Sequence, residues 1–180
     1  MRRVATTALL LLLCSIAAPG LASDASDADA LDKLKGIWQA TNSREDARAR
    51  IDKQIDAVVA EMSFIKRPFA RRRLTKVTQP CQTMTFQRLK DARVEIHCTT
   101  RKAAAAPLDG TPVRWTDEDG EAFTLTQKVH DDRIVQTFKG EDGTRRNVYR
   151  PDGDTMTLDA TLTSDQLPEP LTFRRTFKRK

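Results

Sequence analysis

Phe123-Thr124-Leu125-Thr126-Gln127-Lys128-Val129-His130-Asp131-Asp132-Arg133-Ile134-Val135-Gln136 decides how this chain folds. Phe123, Leu125, Gln127 and Val129 occupy every second position, with Thr and Lys between them. That period belongs to a strand with one buried face. Asp131-Asp132 then supplies a turn, and a second extended run follows, so the stretch predicts an antiparallel hairpin.

The same signal repeats in both directions. Turn pairs stand at Asp109-Gly110, Asp119-Gly120, Asp142-Gly143 and Asp152-Gly153, a spacing expected of short strands in a sandwich or barrel. Met156, Leu158, Ala160 and Leu162 share a face, as do Leu171, Phe173, Arg175 and Phe177, with Thr, Lys and Asp opposite. Adding the segment around Trp38 gives a mainly antiparallel β protein of roughly eight to ten strands, enough for a closed barrel without a free edge. Sequential hairpins make an up-and-down meander the simplest topology.

Upstream the period changes. Ser43 can cap with Asp46, and Ala47, Ile51, Ile55, Val58, Val59, Met62 and Ile65 recur at three- and four-residue steps. This predicts one amphipathic helix over about 43–66, with Pro68 forcing a break or a new short helix. Residues 23–30, rich in Asp, Ala and Ser, read as a flexible leader. Residues 31–180 form the single expected domain, entered through a short approach into a strand at Trp38.

Residues 1–22 read as a secretory signal. Arg2 and Arg3 form a positive start, the apolar run from Ala8 to Ala17 is too short to span a bilayer, and Gly20-Leu21-Ala22 offers small residues for cleavage. Cys14 raises a lipoprotein alternative, but Leu13 precedes it where a small residue is wanted. Export places the mature chain in the periplasm, or outside the cell, of a bacterial source. Nothing after the signal is long and apolar enough for a membrane helix.

The full chain has 180 residues, 31 Lys+Arg against 25 Asp+Glu and a net charge of +6. This length excludes a TIM barrel, a kinase or a two-domain Rossmann enzyme. Two of the basic residues lie in the signal, so the mature excess is modest and nucleic acid is an unfavoured partner in an exported protein. The charge is local. Lys66, Arg67, Arg71, Arg72, Arg73 and Lys76 fall in one stretch without an acid, interleaved with Phe69 and Leu74. Two readings stand: contact with an anionic envelope surface or ligand head group, or a solvated helix end whose dipole favours cations.

Of three cysteines, Cys81 and Cys98 survive signal removal, in a compartment where disulfides persist. Matching apolar faces pairs Met84 with Ile96 and Phe86 with Val94, which leaves Cys98 facing Gln82 and Cys81 one residue out of register. A bulge beside Pro80 restores the match, and a Cys81–Cys98 bridge is the expectation.

No G-x-S-x-G, H-E-x-x-H or phosphate-loop motif occurs, and His97 and His130 lack metal-ligand spacing. The sequence predicts no catalytic residue, no metal and no cofactor, and leaves the oligomeric state open.

Gly36-Ile37-Trp38 in a first strand, a following meander, and a last strand with Arg175 on its apolar face resemble the calycins, the lipocalins and fatty-acid-binding proteins. A helical segment after the first strand resembles the fatty-acid-binding branch. The resemblance implies a structural trio of Gly36, Trp38 and Arg175, with the guanidinium over the indole. It also implies a hydrophobic or amphipathic ligand in a cavity lined by Phe123, Leu125, Gln127, Gln136, Met156, Leu158, Leu162 and Phe173. The chain departs from the Arg-x-Tyr ligand clamp of those families, because Arg175-Thr176-Phe177 carries no tyrosine. Tyr149, Arg146 and Arg150 are further strand residues that either face the cavity or face solvent. The run from Met62 to Arg71 also resembles uncharacterised exported bacterial proteins, which implies a source and no activity.

Overall fold

The computed structural model describes residues 21–180, so all but the last two residues of the signal expected over residues 1–22 lie outside the described residues. Its order is α1 (Leu21–Leu34), β1 (Gly36–Ala40), α2 (Arg44–Ala60), α3 (Arg67–Val77), then β2 (Thr83–Arg88), β3 (Val94–Cys98), β4 (Ala104–Ala106), β5 (Val113–Thr116), β6 (Ala122–His130), β7 (Arg133–Lys139), β8 (Thr144–Asp152), β9 (Thr155–Thr163) and β10 (Leu171–Arg179). All ten strands belong to one antiparallel sheet in the order β4-β3-β2-β1-β10-β9-β8-β7-β6-β5. The meander curls into a barrel as expected.

Closure is incomplete, contrary to the expectation of a barrel without edges. β4 pairs only with β3 and β5 only with β6. Pro107 ends the three-residue β4 and Pro112 precedes β5, and a proline has no N–H to give a ladder. Side chains bridge the gap instead: Trp115 Nε1 donates to the Ala103 carbonyl (2.9 Å) and Gln127 Nε2 to the Ala104 carbonyl (3.4 Å).

The N-terminal segment differs from the flexible leader expected over 23–30. It is helical, and Ala30, Leu31 and Leu34 are buried against the closed end of the barrel. The stretch lacks large apolar residues before Leu31, but a helix needs only one short stripe to dock, and Ala is the best helix former. At its end Gly36 takes φ +118°, a conformation open to glycine, which turns the chain straight into β1.

The helix expected over 43–66 ends early, at Ala60, and the new short helix expected at Pro68 as the alternative to a break follows as α3 from Arg67. Ser43 caps α2, its side chain accepting from the Asp46 N–H (3.0 Å), and Ala47, Ile51, Ile55, Val58 and Val59 form the buried stripe. α2 stops at Ala60, so Ile65 is exposed rather than part of that stripe. Pro68 then sits in the first turn of α3, where its missing N–H has no partner to lose. The two helices lie over the open end, packing Ile51, Ile55, Val58 and Leu74 against Leu162 and Leu171.

Cys81 and Cys98 form a disulfide with Cα atoms 5.7 Å apart. The β2–β3 register is two residues away from the expected one: Met84 faces Cys98 and Phe86 faces Ile96. A shift of two keeps every side chain on its face, and it tightens the hairpin loop to residues 89–93, closed by the Leu89 N–H donating to the Arg93 carbonyl (2.8 Å).

Candidate functional site

Three packed regions divide the interior. At the closed end Trp38, Phe86, Val129, Ile134, Met156, Leu158 and Phe177 form one core with α1. Beneath the helices Leu162 and Phe173 pack with α2 and α3, and beside the gap Leu125 packs with Ala104, Ala106, Trp115 and Phe138. The expected cavity residues Leu125, Gln127, Gln136, Met156, Leu158 and Leu162 are all buried, and Phe123 and Phe173 are half-buried. Met156 and Leu158 fall in the first of these cores, Leu162 and Phe173 in the second and Leu125 in the third. Phe123 packs at a tilt against Trp115 with ring centroids 5.8 Å apart, and it borders a surface depression of about 770 Å³ with Arg114 and Lys139.

Polar side chains on β7 and β8 converge within the barrel. Tyr149 Oη donates to Gln136 Oε1 (2.8 Å), and Asn147 Nδ2 donates to the same oxygen (3.1 Å) and to Tyr149 Oη (3.1 Å). Arg145 Nε donates to Asn147 Oδ1 (3.0 Å), and Arg145 Nη1 to the Val77 carbonyl (2.8 Å) at the C-terminus of α3. Arg101, in the loop after β3, donates to that same carbonyl. Gln136 Nε2 and Gln127 Oε1 are buried without partners.

This layer is electropositive. Among the described residues neither Arg101 nor Arg145 forms an ion pair with a carboxylate, and the negative end of the α3 dipole at Val77 is their visible compensation. Desolvation, then the charge of Arg101, holds Arg145 well below the ordinary guanidinium range, and desolvation lowers Arg101. Burial pushes the Tyr149 hydroxyl up to about 12, so it is a neutral donor at physiological pH. A neutral hydroxyl, two amides and two guanidiniums can hold an oxyanion, and nothing in the set supplies a nucleophile or general base.

The sequence found part of this layer. Gln136 and Tyr149 meet in it, whereas Arg146 is exposed and Arg150 pairs with Asp159 on the outside (2.7 Å). Asn147 and Arg145 were legible from period two, since Tyr149 pointing inward takes both with it. Arg101 sits in a loop, where no period places it.

Trp38 and Gly36 stand where the resemblance puts them, but the cation over the indole is Arg179, 4.3 Å from the ring, and not Arg175. Trp38 is paired directly with Arg179 across β1 and β10. Arg175 is one residue pair further toward the helices than Phe177, stacks on that ring at 5.5 Å and donates to Asn42 Oδ1 (3.3 Å).

The basic stretch is mostly engaged. Arg67 donates to the Ala60 and Met62 carbonyls, closing α2. Arg71 pairs with Asp56, Arg73 with Asp142 (2.5 Å) and Lys76 with Asp119 (2.7 Å). Lys66 and Arg72 form no ion pair among the described residues. Phe64, Ile65 and Phe69 beside them are 74–84% exposed, the most exposed large apolar side chains among the described residues. His97 and His130 lie on strands with no group of three metal-ligating side chains among the described residues.

No protein-family model matches the chain, and no curated protein matches it by sequence. Solved structures do match in shape. A Schistosoma mansoni fatty acid binding protein in complex with arachidonic acid aligns with a TM-score of 0.51 at 18% identity, covering 84% of this chain and 98% of that one. Caenorhabditis elegans lipid binding protein 8 aligns at 0.52 and 10% identity, over 83% and 96%. A secretory abundant heat soluble protein from Ramazzottius varieornatus aligns at 0.54 and 10% identity, over 82% and 96%. The fold is therefore a near-closed, calycin-like antiparallel barrel of ten strands with a helix-turn-helix cap, similar in shape to the fatty-acid-binding structures.

Proposed function

We propose that this chain is an exported, non-enzymatic barrel that binds a hydrophobic or amphipathic molecule carrying an anionic head group. The observation that carries the reading is the meeting of Arg101 and Arg145 on the single Val77 carbonyl, with Tyr149, Asn147 and Gln136 beside them. Half-buried cations without an acid are costly, and a ligand carboxylate or phosphate compensates them better than one peptide oxygen does. Two of the structures similar in fold are described as fatty-acid- and lipid-binding proteins, which supports an apolar tail. Export rests on the signal read in residues 1–22, and the Cys81–Cys98 bridge is consistent with an oxidising compartment.

An environment-sensitive fatty-acid probe tests the reading. It is expected to bind the purified mature chain and to be displaced by oleate. Failure of the probe and of a panel of fatty acids and lysophospholipids to bind overturns it.

The exposed trio Phe64, Ile65 and Phe69 next to Lys66 and Arg72 favours a second role, contact with the anionic envelope. Co-sedimentation with phosphatidylglycerol vesicles, and its loss in F64S/F69S, is the expected result. Equal sedimentation with neutral vesicles counts against it.

A further inference from the structure

The alternation that buries one side of β6–β10 sends most of their charged residues to the other. On that outer face seven side chains are cationic and two, Asp152 and Asp159, are acidic. A merely solubilising surface mixes the two signs, whereas a field of one sign gathers counter-charge. Asp159 is already shared, accepting from Arg150 (2.7 Å) and from Arg174 (2.6 Å). Lys139 and Arg146 are exposed, and neither forms an ion pair or a side-chain hydrogen bond among the described residues.

The strand register sets four cations on one diagonal. Arg114 of β5 stands opposite Thr124, and Thr124 opposite Lys139. Lys139 faces Thr144, two residues before Arg146 on β8. Val148, the next outward residue of β8, faces Asp159, and Asp159 faces Arg174. With about 4.8 Å between strands and about 6.7 Å between successive side chains on a face, neighbouring cations stand about 8–12 Å apart and the stripe runs about 30 Å. One phosphate or carboxylate cannot span it. Thr124, Thr137, Thr144 and Thr161 fill the spaces between with hydroxyls that both donate and accept. At its β5 end the stripe enters the depression of about 770 Å³, where Arg114 and Lys139 flank the short side chains of Ala122 and Thr124. Glu141, also in that lining, forms an ion pair with neither cation.

What the stripe lacks narrows its partner. Trp115, Phe123, Phe138, Tyr149, Phe173 and Phe177 all take inward positions on their strands, so the outer face offers no platform for stacked bases. The face is convex and its large apolar groups are turned in, so a flat bilayer meets little of it. We propose that the stripe from Arg114 through Lys139 and Arg146 to Arg174 docks an anionic polysaccharide, a flexible chain of sugars bearing carboxylates or phosphates. Its anions meet the cations, and its hydroxyls meet the threonines between them. The surface shares no residue with the Arg101–Arg145 layer or with the basic stretch of α3.

Binding of the mature chain to immobilised polygalacturonate, across a salt series, tests it. Wild type is expected to bind with an affinity that falls log-linearly with salt, and not to bind neutral dextran. K139Q/R146Q is expected to weaken binding about tenfold or more and to flatten the salt slope. Neither side chain has a partner in the fold, so the wild-type Tm is expected to be kept; if it is not, R114Q at the other end of the stripe carries the same comparison. K66Q/R72Q, which removes the two cations of the α3 stretch that form no ion pair among the described residues, is expected to bind as wild type does. No binding by wild type overturns the surface, and so does binding that is unchanged in K139Q/R146Q or equally weakened in K66Q/R72Q. Polyglutamate or a single-stranded oligonucleotide of matched charge, bound as tightly as polygalacturonate, overturns the polysaccharide as its partner.

Discussion

Arg179 and Trp38 close the barrel floor together. The guanidinium lies 4.3 Å from the indole centroid, and both side chains donate to the end of α1: Trp38 Nε1 to the Leu34 carbonyl (2.7 Å), Arg179 to the carbonyls of Lys33 (2.6 Å) and Lys35 (2.7 Å). The last turn of a helix leaves such carbonyls without partners, so this pair caps α1 and joins it to both β1 and β10. R179M removes two capping bonds and the cation over the ring, and is expected to lower unfolding stability by about 2–3 kcal/mol. Urea denaturation measures it. A loss of that size in R175M and none in R179M would return the role to Arg175.

Gly36 belongs to the same closure for a conformational reason. An added Cβ meets nothing nearer than 3.5 Å, but the backbone sits at φ +118°, where L side chains are strained. G36A is expected to cost about 1 kcal/mol or more, read as a fall in Tm with no change in the folded circular-dichroism spectrum.

The Cys81–Cys98 bridge fastens the start of β2, just past α3, to the end of β3. Folded, unreduced mature protein is expected to show no free thiol. C81S/C98S is expected to lose about 3 kcal/mol, the entropy of closing a loop of this length. Two titratable thiols in the native protein would refute the bridge.

Tyr149 gives the stability curve an alkaline limb. Its folded pKa, about 12, exceeds the ordinary 10.0 because burial disfavours the phenolate. The unfolded chain therefore loses this proton first. The contribution is complete below the unfolded pKa and is lost as pH rises through the folded one, so stability falls between about 10 and 12. Asp159 works at the other end. Desolvation raises its pKa, but hydrogen bonds from Arg174 and Arg150 outweigh that and hold it below 3.8, so its contribution is present above the unfolded value and lost as pH falls through the folded one. Y149F is expected to flatten the alkaline limb and D159N the acid limb in urea titrations across pH, each leaving the other limb intact.

What the sequence made legible follows from what repeats. Period two and regular turns carry the β6–β10 meander without tertiary information. Arg175 and Arg179 share that parity, so alternation cannot choose between them. The choice is made by the β1–β10 register, which sets Trp38 against Arg179 and leaves Arg175 about 13 Å up the strand. α1 was hidden because its docking stripe, Ala30, Leu31 and Leu34, begins only where the Asp/Ala/Ser stretch ends. The break at Ala60 was hidden because Met62 and Ile65 continue the apolar spacing of a helix that has already stopped. Arg101 reaches Val77 from a turn closed by its N–H on the Cys98 carbonyl (2.9 Å), and Cys98 is bridged to Cys81 in the chain leaving α3, a long-range meeting that no local period signals.

That meeting yields the most direct prediction about ligand chemistry. Arg145 and Arg101 both hold the Val77 carbonyl, so a head group entering the layer competes with the end of α3 for the same donors. Affinity should then depend on the head group's charge and not only on the tail. R145M is expected to weaken oleate about ten- to hundredfold, the worth of a charge-assisted hydrogen bond, while oleyl alcohol, with the same tail and no charge, keeps its affinity. Probe displacement by the two lipids in wild type and R145M separates the outcomes. Equal weakening of both would mean that the substitution damaged the apolar wall. No weakening of either would leave Arg145 as a cap on α3 alone and remove the anionic head group from the reading.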